Sequence, residues 1–260
     1  MEKYVKSSDG MFIHYRATET KPVALVFIHG ALGNAAWWDE QADFFRDRYT
    51  AVRMDLPGHG KSVGTRTHWS SSQYAEDIKA VVGQLDSQKI ILVGHSMSGA
   101  YALEASLLIP RTIAIVLVDT LKDMKDLMDF ETANQVLFGL YRRDFRSAVE
   151  NILPNYLFSG ATPPAVQRRI REEFLQYDPE FAINSLEPLY RMDIRRIAGR
   201  VNRPVRAINS DFTPTNLENN LTYFRDYQYV NIRGTGHYPM LEKPDEFNRA
   251  LEQLLTGLPI

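Results

Sequence analysis

The stretch Ile90-Ile91-Leu92-Val93-Gly94-His95-Ser96-Met97-Ser98-Gly99 carries an apolar run into a turn of small residues with a serine at its centre. On a sharp strand-to-helix turn, such a serine projects its hydroxyl beyond the sheet edge, where it can attack an acyl carbon. Small residues two positions to either side keep the turn free of clashes. Ser98 stands where glycine is usual in turns of this kind, and it is still small. The amides after the serine open a helix and can bind developing negative charge, so the Met97 N–H is one expected donor to an oxyanion. The plain alternative is an ordinary Ser/Gly turn. A buried strand before it and a helix after it favour chemistry.

A serine nucleophile also needs a second donor and a base. His29-Gly30-Ala31-Leu32-Gly33 directly follows an apolar run at 23–28. A loop after that strand can supply the second N–H, and Ala31 is the candidate. His29 itself reads as structural, hydrogen-bonded within the loop. Gly234-Thr235-Gly236-His237-Tyr238-Pro239-Met240-Leu241-Glu242-Lys243-Pro244 follows the last apolar run and precedes the last helical pattern. A histidine in that glycine-rich loop can reach Ser96 as general base. Five other histidines exist, and any one of them is by default a surface or core residue; the order serine then histidine along the chain selects His237.

These residues need a scaffold that brings the ends of several strands together. Residues 3–7 and 11–17 alternate in character around Asp9-Gly10, which reads as a hairpin, because Asp-Gly tolerates the positive φ of a tight turn. Short continuous apolar runs come next at 23–28, 50–54, 90–93, 113–118, 205–208 and 229–232, as strands buried on both faces show. Helical patterns lie between most of them, at 38–46, 73–85, 97–109 and 245–255. Strands alternating with helices predict an α/β fold with a mostly parallel sheet covered on both faces. From Thr120 to about Val201 no strand pattern occurs; helical segments alternate with breaks at Pro154, Gly160, Pro163-Pro164, Pro179 and Pro188. About eighty residues is too long for a connecting loop. The expected organisation is a core domain over 1–119 and 202–260 with a helical cap insertion over 120–201. The insertion leaves from the carboxyl end of a strand, where ligands of open α/β sheets bind.

Composition narrows the function. The chain has 260 residues, 44% apolar and 24% charged, as one large soluble domain has. A formal charge of −2 offers no electrostatic reason for a nucleic acid or an anionic membrane as partner. With no cysteine, disulfides, thiolate catalysis and thiolate-bound metals are excluded. Met1 to Gly10 lacks the apolar stretch of a signal peptide and no run is long enough to span a membrane, so a cytoplasmic location is expected. No His-Glu-x-x-His or carboxylate cluster suggests a metal. Gly60-Lys61-Ser62 imitates the end of a phosphate-binding loop, but Asp55 stands where that motif needs glycine, and Val63-Gly64 do not continue a helix.

Taken together, His29-Gly30, Asp55-Leu56-Pro57-Gly58-His59-Gly60-Lys61-Ser62, Gly94-His95-Ser96-Met97 and Gly236-His237 resemble the α/β-hydrolase superfamily in order and spacing over essentially the whole chain. The resemblance implies an eight-stranded sheet, a lid after the sixth strand, and hydrolysis of ester- or amide-type bonds without a cofactor. The chain departs from the family at the acid. The usual aspartate lies three residues after the glycine that ends the 205–208 strand; with Ser210 in the glycine's place, that position holds Thr213. Threonine cannot carry the charge that steadies an imidazolium. Two carboxylates could substitute. Asp119 ends the 113–118 strand, and some superfamily members place their acid there. Asp211 lies in the usual loop, two residues early. Asp119 is preferred. Its plain role would be to cap the segment after the strand; that of Asp211, an Asx turn before Pro214.

The expected activity is carboxylic-ester hydrolysis of a small-molecule acyl substrate, with Ser96 as nucleophile, His237 as base, and Ala31 and Met97 amides holding the oxyanion. Trp37, Trp38, Tyr238, Met124, Leu127 and Met128 are candidate walls of an apolar pocket, or equally core. A lactonase, thioesterase, amidase or C–C bond hydrolase would share this machinery. Dehalogenase and epoxide-hydrolase relatives carry aspartate where Ser96 stands. The reading from another class is a non-catalytic binding protein on a hydrolase scaffold, which an acid-less His237 would favour. The oligomeric state is open.

Overall fold

In the computed structural model, which describes residues 2–258, the apolar runs become parallel strands at the centre of the molecule. Among the described residues eight strands form one sheet in the order β1-β2-β4-β3-β5-β6-β7-β8. They are β1 (Glu2–Lys6), β2 (Phe12–Ala17), β3 (Val23–Ile28), β4 (Thr50–Met54), β5 (Lys89–His95), β6 (Thr112–Val118), β7 (Val205–Ser210) and β8 (Tyr227–Ile232). β2 runs antiparallel to both its neighbours, and from β4 to β8 every pairing is parallel. Every residue of β3 is buried, as a strand covered on both faces requires. The outermost residues of the expected core segments, Met1, Pro259 and Ile260, lie outside the described residues.

The covering helices of the core are α1 (Asp39–Phe45), entered through a short 3₁₀ turn at Ala35–Trp38, α2 (Ser71–Val82) and α3 (Met97–Leu108). Between β6 and β7 lie α4 (Phe130–Ser147), α5 (Pro154–Leu157), α6 (Pro164–Phe174), α7 (Pro179–Arg191) and α8 (Ile194–Ala198). Then come α9 (Leu217–Leu221), α10 (Pro239–Glu242) and α11 (Pro244–Thr256). Three of the expected breaks are helix starts: Pro154, Pro164 and Pro179 occupy the first helical position, where the missing N–H costs nothing. Pro188 is not a break. It lies inside α7, close enough to the end that the helix forgoes one hydrogen bond and continues to Arg191. β7 extends two residues past the apolar run, through the buried Asn209 and Ser210, whose polar side chains bond to Thr215 and Asp119.

The helical insertion is fastened to the core at several points. The Tyr74 hydroxyl on α2 donates to the Ser185 carbonyl on α7 at 2.9 Å. The Trp37 indole N–H donates to Glu173 on α6. Gly58, at φ +72°, leaves room for the Phe181 ring, which stands 2.5 Å from where a Cβ would be. His59 packs against both Tyr177 and Phe181, at 5.4 and 5.0 Å between ring centroids. Among the described residues no helix is long and apolar enough to cross a membrane.

At the far edge, a buried ion network ties the β1–β2 hairpin to α2. Arg66 donates twice to Asp77, at 2.9 and 3.0 Å, and once to Asp9 at 2.7 Å, while Ser7 donates to Asp77. Asp77 is fully buried. Removing one member of a buried pair strands the other charge, at a cost of about 3–5 kcal/mol. Asp77→Ala should therefore lose that much in urea unfolding, and Asp9→Ala markedly less; equal losses would show that Arg66 does not depend on Asp77.

Candidate active site

Ser96 sits between β5 and α3 at φ 54°, ψ −126°. This backbone conformation costs a residue with a Cβ about 1–3 kcal/mol and persists only where its surroundings enforce it. They do so by leaving no space. A Cβ on Gly94 would lie 2.4 Å from the Ser98 carbonyl oxygen, one on Gly99 2.4 Å from Thr120 Cγ2, and one on Gly30 2.6 Å from His95 Nδ1 and 3.0 Å from Ser96 Cβ. The Ser96 N–H donates to the Val118 carbonyl at 3.0 Å. Ser98, in the position usually held by glycine, donates its hydroxyl to the His29 carbonyl and so clips the loop after β3 to the first turn of α3. Ala31 and the Met97 amide, the latter among the first N–H groups of α3, flank the serine from these two elements.

His237 enters from the loop after β8. Its Nδ1 lies 2.8 Å from Asp119 Oδ2, across 118 residues of sequence. Asp119 stands just past β6 at φ 47°, and its other oxygen, Oδ1, accepts from the Ser210 N–H at 2.7 Å and the Ser210 hydroxyl at 2.8 Å. Lys122 approaches the same Oδ1 to 2.6 Å. Burial alone would push the Asp119 carboxyl up; the hydrogen bond and charge of His237, together with the Lys122 ammonium, outweigh it and hold the group well below the usual carboxylate range. Asp211 does not face the histidine: it accepts from the Gly234 N–H at 2.8 Å and shapes the turn before the loop. Thr213 is exposed and contacts Lys122.

Sequence reasoning missed the residues that hold the His237 loop. Glu242 accepts from the N–H of Gly236 and of Tyr238, and from the Thr162 hydroxyl at 2.7 Å. The His237 N–H itself donates to the Leu157 carbonyl of the insertion at 2.7 Å. His95 Nε2 donates to the His237 carbonyl at 2.7 Å. Glu242 had a readable signal: an acidic residue two before Pro244, in the first turn of a helix, is placed to accept from preceding amides. The contacts to Leu157 and Thr162 had none.

His29 and His14 have structural roles at the loops around the site. His29 donates from Nδ1 to the Gly30 carbonyl at 2.7 Å and accepts at Nε2 from Leu56 N–H at 2.9 Å, which fixes its tautomer and ties the loop after β3 to the loop after β4. In that second loop, Asp55 accepts from the N–H groups of Ala35 and Lys61 and from His14 Nδ1. Gly60-Lys61-Ser62 is consumed by these bonds and by the Phe12–Val63 bridge, so it cradles no phosphate.

A cavity of about 340 Å³ opens on Ser96, His95, His237 and Ala31. Tyr238 and Met128 line it, as do Leu140, Leu153, Phe174 and Leu186 from the insertion; among its described lining residues, none except the histidines is ionisable near neutrality. Trp37 does not reach it. Its ring is buried behind the wall, edge-on to His95 and Tyr238 at 5.9 and 5.4 Å, because its N–H is drawn to Glu173. Trp38 and Met124 are core, and Leu127 lines a neighbouring open groove of about 720 Å³ that shares Met128, Leu189 and Tyr190 with the cavity.

Known proteins share this fold. A family model described as "Alpha/beta hydrolase family" matches residues 25–250. A Haemophilus influenzae protein described as "Putative esterase/lipase" is 30% identical over 94% of this chain and 87% of its own length. A pimeloyl-[acyl-carrier protein] methyl ester esterase of Xanthomonas axonopodis is 24% identical over 91% of this chain and 96% of its own. Among solved structures, an esterase from Thermogutta terrifontis superposes with a TM-score of 0.83 at 21% identity, covering 98% of both chains.

The buried histidines make stability depend on pH. Burial, reinforced by a neighbouring imidazole in each case, pushes His59 and His95 down to about 3, whereas in the unfolded chain they titrate near 6.5. Below about pH 6 the unfolded state therefore binds roughly two more protons than the folded one, and stability falls as pH falls, by about 1.4 kcal/mol per proton per pH unit. Urea unfolding at pH 7, 6 and 5 should show this slope, and His59→Gln should flatten it by one proton. Equal stability at pH 7 and pH 5 would refute it.

Proposed function

We propose that this chain, which belongs to the alpha/beta hydrolase family, hydrolyses carboxylic esters of small molecules with an apolar acyl group, by way of an acyl-enzyme on Ser96. The observation that carries the reading is the pairing of His237 Nδ1 with Asp119 Oδ2 at 2.8 Å on the rim of the cavity that Ser96 also lines. The similarity to the Haemophilus esterase/lipase-like protein and the Xanthomonas methyl ester esterase supports ester as the bond type.

The steps are dictated by the groups present. His237 Nε2 takes the Ser96 proton as Oγ attacks the ester carbon, and the carbonyl electron pair moves onto oxygen. The Ala31 and Met97 amides receive that oxyanion. Asp119 holds the Nδ1–H tautomer and stabilises the imidazolium. Because its carboxyl is held well below the usual carboxylate range by His237 and Lys122, Asp119 carries its charge opposite the imidazolium as it forms. The imidazolium protonates the leaving alcohol; the oxyanion collapses to the acyl-enzyme. Water, deprotonated by His237, then attacks the same carbon and releases the acid and the serine. The segment 120–201 acts as the cap whose apolar side chains receive the acyl chain.

A fluorophosphonate should modify Ser96, located by mass spectrometry, and Ser96→Ala should lose ester turnover by several orders of magnitude with little change in stability. Asp119→Asn keeps shape and removes charge; the loss expected is about 10⁴-fold in kcat, as for a triad left with the wrong tautomer. Asp211→Asn should lose far less. The reverse ordering would hand the acid role to Asp211, and an adduct on another serine would remove Ser96.

Chain length tests the cavity. Each methylene buried is worth roughly 0.8 kcal/mol, about fourfold in kcat/KM. Successive p-nitrophenyl esters should climb by up to that factor until the cavity is full, then plateau or fall. Met128→Trp should change the ranking of short against long chains. A flat profile, or a substitution that scales all esters equally, would show that the acyl chain does not enter this cavity.

A further inference from the structure

The acid and base of the site are not an isolated pair. Lys122, three residues after Asp119, turns back so that its ammonium is almost buried, with the side chain 11% exposed. Around Nζ stand Asp119 Oδ1 at 2.6 Å, Ser210 Oγ at 2.9 Å, the Ser210 carbonyl at 3.1 Å, Thr213 Oγ1 at 3.0 Å and the Thr213 carbonyl at 3.3 Å. An ammonium has three N–H groups to give, and every acceptor here comes either from the carboxylate or from the last residue of β7 and the loop after it. In the family pattern that loop carries the acid. In this chain it carries hydroxyls and carbonyls that cradle a cation instead.

We propose that Lys122 is a positioning residue for the site: it occupies one oxygen of Asp119 so that the other is left to His237, and its charge opposes protonation of the imidazole. The proposal rests on the reading of Ser96, His237 and Asp119 given above. A carboxylate with two unequal loads cannot rotate about Cβ–Cγ without breaking the contacts of Oδ1 to Ser210 and Lys122, so Oδ2 is presented to Nδ1 in one orientation. The charges also matter. A lone carboxylate beside His237 favours the imidazolium strongly. A carboxylate already paired with an ammonium favours it less, so the base remains free to accept the serine proton at lower pH.

The other groups around His237 do not supply this effect. His95, whose ring centroid is 4.7 Å away, is pushed down to about 3 by burial and by His237 itself, and stays neutral. Tyr238, Tyr141 and Tyr190, from the histidine loop and the insertion, are raised by burial and stay neutral as well. Glu242 is turned to the backbone amides and to Thr162. Asp211 is turned to Gly234. Among the described residues, Lys122 is thus the charged side chain at hydrogen-bond range of the His237–Asp119 pair.

The test measures kcat/KM of a p-nitrophenyl ester against pH, and on the same proteins an NMR titration of the His237 ring, which reads the coupling with or without turnover. In Lys122→Met, the acid limb of the profile and the ring titration should both move up by about one pH unit. Lys122→Arg should restore most of the wild-type position. Thr213→Asp, at an exposed position that contacts Nζ, brings a rival carboxylate to the ammonium and should move both readouts in the same direction while the fold is kept. If both readouts stay in place in Lys122→Met and in Thr213→Asp, with only Tm lowered, Lys122 merely ties two loops together and the proposal fails. A wild-type protein that turns over no ester defeats the proposed function instead, and the ring titration then decides for or against Lys122 by itself.

Discussion

The backbone of Ser96 is held where a side chain is unwelcome, and much of the surrounding design answers to that single demand. At φ 54° the residue joins β5 to α3 at the edge of the cavity, and the chain must turn sharply there. Three neighbouring positions can have no Cβ: Gly94 against the Ser98 carbonyl, Gly99 against Thr120, and Gly30 against His95 and Ser96. The strain is offset by hydrogen bonds that cross between elements, from Ser96 N–H to Val118 and from the Ser98 hydroxyl to His29. The latter is a bond that glycine at position 98 could not make. One strap reaches β6 and the other the residue directly after β3, so the turn is tied to the strands on both sides of β5.

Central strands were the most legible part of the chain. Val23–Ile28 coincides with its apolar run, because a strand buried on both faces must be apolar throughout; Thr50–Met54 is also matched, although Arg53 in it pairs with Asp39. Legibility fades where polar residues are buried for a purpose. Asn209 and Ser210 extend β7 beyond its apolar run, since each has a partner that only the folded chain supplies. Pro188 misleads for another reason: a proline in the last turn of a helix forfeits little, and sequence alone does not say how many residues of helix remain.

In the site, local pattern identifies residues and contact identifies partners. Ser96 and His237 stand in motifs whose glycines have mechanical reasons that spacing along the chain is enough to reveal. Their supports are of a different kind. Glu242 is near His237 in sequence, but Thr162 and Leu157 are 75 to 80 residues from the loop they brace, and nothing in their own neighbourhoods marks them. Trp37 was legible as buried and not as to what it lies behind. An indole is apolar enough for a pocket wall or a core, and the carboxylate of Glu173, 136 residues away, decides between them.

The bond from the His237 N–H to the Leu157 carbonyl has a consequence for how such proteins diversify. An insertion on a sheet scaffold is readily imagined as a cassette, exchangeable to change what the scaffold recognises. Here the exchange would take with it the acceptor for the His237 amide and the Thr162 hydroxyl on Glu242. A transplanted cassette would have to bring a carbonyl to the same point in space, whatever else it carried. Side chains of the insertion that face the cavity, such as Leu140 and Leu186, carry no such bond, whereas the backbone of residues 157–162 does. In this chain, changing what the cavity admits is therefore a matter of side chains within a fixed backbone frame rather than of exchanging the whole segment.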